Sequence, residues 1–237
     1  MFLSVAMGLA FAAPEDQVIL NSSGEFLHWA QDSVPFRVNP LNLEEIDTDS
    51  VITAVDGAAL AWSGASDVYL ELARAGDTAS MGGLDEESVL YFNDDWPSSP
   101  DLLALTSSWS DEEGVIVEFD LAINTKHHDW STEGKEGTFD LQNTLAHEMG
   151  HAIGIDHDDQ NVGATMFPNS SPGETLKRDL DAEDVEVAAW LYPERADSEL
   201  PNSNALFSCS TSPFAAAWLG VPALCLIFRR RQEFPCS

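Results

Sequence analysis

Two histidines stand four residues apart at His147 and His151. A glycine follows at Gly154 and a third histidine at His157, in the run HEMGHAIGIDH. On a helix a four-residue step brings both imidazoles to one face, one turn apart. Leu145, Met149, Ala152 and Ile153 recur on nearly the opposite side, so the spacing predicts a helix over 140–153 whose histidines face away from the core. A residue without Cβ can turn left-handed at 154, end the helix and send the chain back across the site. His157 then arrives as a third imidazole. Three neutral nitrogens around an open fourth position describe a catalytic zinc rather than a closed structural one. Glu148, next to the first histidine, is badly placed to ligate with its neighbours. It is well placed to take a proton from a water that the metal has acidified.

Around this constellation the chain reads as α+β. QVIL, a turn at Asn21–Gly24, EFLHWA and VPFRV suggest strand, turn, strand, strand. Asp47–Ser50 supplies caps for a helix with apolar residues at 51, 55, 58, 59 and 62. Further strands are expected over 68–72, 89–92, 103–109 and 115–123. A last helix is expected over 182–192, with Asp181 as N-cap and Pro193 as stop. No repeat of 20–50 residues is present.

HEMGHAIGIDH resembles the elongated zinc signature of the metzincin metalloproteases. The run GATMFP, with Met166 nine residues after His157, is similar to the methionine turn of that family. Among metzincins the chain most resembles the matrixins. VPFRVN, AALAWS, FDLAIN, TFDLQNTLAHEMGH and LDAEDVEVAAWLYP follow one another in that family's order. The resemblance implies a metzincin catalytic domain: a twisted, mostly parallel sheet with an antiparallel edge strand, a zinc helix and a C-terminal helix. It implies one zinc held by His147, His151 and His157, Glu148 as the catalytic acid–base, and Met166 as an apolar floor beneath the imidazoles. It also implies hydrolysis of internal peptide bonds in an extended polypeptide that pairs with a sheet edge, for which Leu103–Ser108 is the candidate. The alternative is a catalytically silent zinc-binding surface or adhesion protein of the same fold.

The chain also departs from the matrixin pattern. Asp158 replaces the serine that usually follows the third histidine, and there is no cysteine switch. His127 and His128, in KHHDW, are expected to face solvent, so no second zinc is assigned. The resemblance leaves structural calcium open. Asp94-Asp95, Asp111-Glu112-Glu113 and Asp158-Asp159 offer hard oxygens, but none has EF-hand spacing.

Charge and the chain ends bear on setting. A formal charge of −31 with three lysines excludes nucleic-acid binding. Residues 1–12 end in small residues and read as a signal peptide, with a buried N-terminal strand as the alternative. The catalytic domain is then 13–193, with a polar linker over 194–208. The tail, 209–237, holds all three cysteines, an apolar run from Pro213 to Phe228 and Arg229–Arg231. Its order resembles the sorting tails of exported myxobacterial proteins. That implies processing near Cys209 and membrane association in a protein displayed at the surface of a Gram-negative bacterium. The other reading of the tail is a short core helix. A monomer is expected.

Overall fold

The computed structural model describes residues 14–43 and 45–194, and the backbone of 230–236. The signal-peptide, linker and apolar-run expectations therefore lie outside the described residues.

A six-stranded sheet has the order β2-β1-β3-β5-β4-β8. Its strands are β1 (Ser33–Asn39), β2 (Glu71–Asp77), β3 (Val89–Asn93), β4 (Ala104–Ser110), β5 (Ile116–Asn124) and β8 (Arg230–Cys236). β1 pairs in parallel with β2 and β3, and β3 pairs in parallel with β5. β4 runs antiparallel to β5. This is the mostly parallel sheet with an antiparallel strand that the sequence led us to expect. Short strands β6 (Trp130–Ser131) and β7 (Phe139–Asp140) form a separate pair ahead of the zinc helix.

The caps explain why the helices start where they do. α1 (Thr48–Ser63) begins at Asp47, whose carboxylate accepts the Ser50 N–H at 2.9 Å. α2 (Leu141–Ala152) begins at Asp140, which accepts from Asn143 N–H and is itself held by Arg178. α3 (Ala182–Leu191) begins at Asp181, and Asp184 completes a reciprocal capping box. α1 and α2 pack against each other, α1 against β2 and α2 against β4 and β5. Val51, Val55, Ala58 and Trp62 of α1 are buried together with Phe36, Phe119, Leu121 and Ile123 of the sheet in one core.

The structure corrects the sequence reading in four places. Residues 17–28 form isolated bridges around the Asn21–Gly24 turn rather than two strands. The strand expected over 68–72 starts at Glu71, after Tyr69 N–H has bonded to Tyr192 O. α2 has no outward face, since every residue in it except Gln142 is buried, both histidines included. The metal site is part of the interior, so a polar stripe on this helix does not mean solvent. Finally, Arg230–Cys236, the last part of the segment read as a tail, is a strand on β4. Strand addition draws on backbone N–H and C=O groups, which any composition supplies, so hydropathy gave no sign of it. Among the described residues no helix is long and apolar enough to cross a membrane.

Candidate metal centre

α2 carries His147 and His151 into the interior, and the turn after it returns His157 to the same point. The three side chains place one ligand atom each within 4.8 Å of one another. Gly154 makes this return possible in two ways. Its φ is +92°, in the left-handed region, and a Cβ there would overlap the Leu27 carbonyl. The loop is braced from the N-terminal segment, where Ile19 N–H donates to Gly154 O and Asp156 N–H to Gln17 O, each at 2.9 Å.

The other ring nitrogens decide which atoms face the metal. His147 Nδ1 lies 2.7 Å from Thr165 O, and His151 Nδ1 lies 2.8 Å from Ile155 O. A carbonyl only accepts, so each Nδ1 carries the proton and each Nε2 keeps its lone pair for a metal. His147 Nε2 is buried with no hydrogen-bond partner, and His151 Nε2 lies 3.1 Å from His157 Nε2. A buried lone pair left unmatched beside two like nitrogens fits a cation. Burial lowers the pKa of all three, reinforced by neighbouring imidazoles at His147 and at His151, which falls to about 3, and opposed at His157 by Asp156 and Asp159. The imidazoles are thus neutral near pH 7, and no proton has to leave before a metal binds.

Glu148 is fully buried, and burial pushes its carboxyl up to about 8 against the lowering effect of the Thr106 hydroxyl. Thr106 Oγ1 donates to Glu148 Oε2 at 2.5 Å, so a residue of β4 holds the carboxylate. Oε1 is buried without a partner. A divalent cation nearby would favour the ionised form.

Met166 is buried below the helix. A Cβ at Gly150 would overlap its sulfur and crowd Trp62, so the approach depends on glycine at 150. The methionine loop is pinned by Asp184, which accepts Thr165 N–H at 2.7 Å and Met166 N–H at 3.1 Å. Asp158, the departure after the third histidine, has a structural account. Its N–H donates to Met166 O and its Oδ1 accepts from Gln160 and Asn161, tying the third ligand's loop to the methionine loop.

Sequence reasoning missed several supports of the site. Trp62 Nε1 donates to Ala146 O, Trp29 Nε1 to Ala152 O and the Tyr192 hydroxyl to Ile153 O, fastening α2 along its length. Lys177 is buried and donates to Phe167 O and Asn169 O. A buried indole, phenol or lysine needs a partner, which flags these residues but does not say which carbonyl they meet.

The other expectations divide. His127 is exposed, whereas His128 is half-buried edge-on against Phe139, with ring centroids 5.2 Å apart. Asp94 accepts from Asn42 and Asp111 from Val115 N–H. Among the described residues the histidine triad is the one group of three His, Cys, Asp or Glu side chains that could hold a metal.

The family model of the matrixins, peptidase family M10, matches residues 28–193, which contain every element described above except the N-terminal bridges and β8. The match covers well over half of the chain and includes the triad, Glu148 and Met166, so this chain belongs to the matrixins, a family of zinc-dependent metallopeptidases.

Proposed function

We propose that the protein is an endopeptidase that hydrolyses internal bonds of extended polypeptides, with Glu148 as its acid–base. The observation that carries this reading is the Thr106–Glu148 hydrogen bond, because it joins the buried carboxylate, the metal helix and the antiparallel strand β4 into one unit. Zinc, when bound by His147, His151 and His157, supplies a Lewis acid that polarises a carbonyl and brings the pKa of water to ~7. Glu148 takes the proton from the attacking water and delivers it to the departing amine. Thr106 fixes the carboxylate through Oε2 and leaves Oε1 for the proton. Main-chain pairing with β4 would present the substrate without regard to most of its side chains.

Hydrolysis of casein or gelatin by the full chain, lost in Glu148→Ala and on chelation, is the expected result. Full activity in Glu148→Ala would overturn it. A chain that binds zinc stoichiometrically but cleaves neither protein would instead be the silent binding protein. We assign the protein to the exterior of a Gram-negative cell on the strength of the small-residue site near Ala12 and the order of the tail. Fractionation with an antibody to the folded domain tests that assignment.

A further inference from the structure

Seven consecutive residues of β8 pair antiparallel with all seven of β4, from Ala104 opposite Cys236 to Ser110 opposite Arg230. Phe234 stands in register with Thr106, the residue that holds Glu148. A strand has two edges and β4 already gives one to β5. Its other edge is the one an extended substrate would need, and β8 fills it from end to end. We infer that Arg230–Cys236 is a built-in competitive inhibitor of this site, a strand of the same chain that substrate must displace from β4. This rests on the endopeptidase reading for its consequence, though not for the pairing.

Two properties favour this occupant. The segment from Arg229 to Ser237 carries three arginines and one glutamate, while 40 of the 41 acidic residues and 7 of the 10 basic ones precede it. A cationic strand returning to a strongly acidic domain is drawn back by the field of the whole domain, and salt weakens that attraction. The segment is also tethered, because residues 195–229 keep it on the same molecule. Tethering sets an effective concentration of up to about millimolar, so modest pairing affinity suffices for occupancy. A cut anywhere between Glu194 and Arg230 would turn the inhibitor into a dissociable peptide, a route from latency to activity.

The test uses the full chain and the double variant Gln232→Pro/Glu233→Pro. Successive residues of a strand point their N–H groups to opposite sides, so one of the two prolines removes a donor to β4 wherever the ladder falls. Two measurements do not depend on catalysis. The amides within 104–110 that point to β8 should exchange at least about tenfold faster in the variant, while those bonded to β5 and those of α2 stay unchanged and report an intact fold. A fluorescent synthetic peptide RRRQEFPCS should bind the variant about tenfold more tightly than the parent, whose edge is taken. Hydrolysis of an extended peptide should rise by a similar factor in kcat/KM, chiefly through KM, and the added nonapeptide should reverse the gain. Equal exchange at 104–110 in the two proteins would overturn the inference, as would equal binding of the nonapeptide. If exchange and binding change as expected while neither protein cleaves any substrate, the strand is a lock on β4 and the endopeptidase reading is the part that fails.

Discussion

At one border of the sheet, β2 carries Glu71, Arg74 and Asp77, and most of its residues are at least partly exposed. β4, at the other end of the domain's own five strands, reads ALTSSWS, has no ionisable side chain and is buried at every position except Leu105. Charges on an edge strand repel a second backbone, and β2 adds to this a register irregularity against β1 between Phe36 and Val38. Its Arg74 is paired with Asp56 of α1 at 2.8 Å. β4 has no charged side chain to guard it, and its one register irregularity, between Trp109 and Ser110, lies at its far end against β5. The comparison teaches that one edge is guarded by charge against strand addition and the other is open to it, with β8 as the strand that takes it, and that this open edge is the one tied to Glu148.

The largest effect that can break this contrast is removal of the base. In Glu148→Ala kcat should fall by roughly 10²–10⁴-fold while bound zinc stays near one per chain, as measured by metal analysis beside peptide hydrolysis. Zinc loss in parallel would make Glu148 a structural support of the ligands. Next is the tether from the open edge. Thr106→Val should lower kcat about tenfold with KM little changed, and Thr106→Ser should restore most of it by keeping the hydroxyl. Valine and serine variants with equal kcat would detach β4 from catalysis.

A third test goes deeper, to the face of β5 away from the metal. Asp120 accepts N–H groups from Gly83 and Val89, yet burial raises its carboxyl to about 7, and its neighbour Glu118 adds to the shift. The folded protein therefore holds a proton that the unfolded chain releases above its ordinary pKa of ~4. The stability from that protonated carboxyl is complete below pH ~4 and is lost as pH rises through about 7. Asp120→Asn should be free of this loss, so its Tm relative to the parent should climb between pH 4 and 7 in a thermal melt. A constant difference would mean that Asp120 is ionised throughout. The smallest effect belongs to the guarded edge. Arg74→Ala breaks a largely exposed ion pair and should cost under about 1 kcal/mol with kcat/KM unchanged. A change in activity there would mean that β2 also meets substrate.

Much of this was legible before any coordinates. The caps at Asp47 and Asp181 and the short apolar runs of β3, β4 and β5 are local, so they placed helices and strands to within a few residues. The candidate edge Leu103–Ser108 falls almost entirely on β4, but β8 pairs along the side that this reading left free. QVIL and EFLHWA failed as strands because only isolated bridges form there, to Ile155 and Val115 and across their own turn. Gly150 gave no signal at all. Its need for a bare Cα comes from Met166 and Trp62, both far away in the chain.

By itself the sequence determined the ligand set, since helical period and a left-handed glycine bring His147, His151 and His157 together through short-range geometry. It also determined the family, because that spacing and the segments around it are specific. Only the tertiary structure decided that α2 would be enclosed, that Thr106 would hold Glu148 and that Arg230–Cys236 would lie on β4. Those outcomes depend on which backbone groups and hydroxyls meet across tens to more than a hundred residues. No local pattern encodes a hydrogen bond whose two partners are brought together only by the packing of everything else.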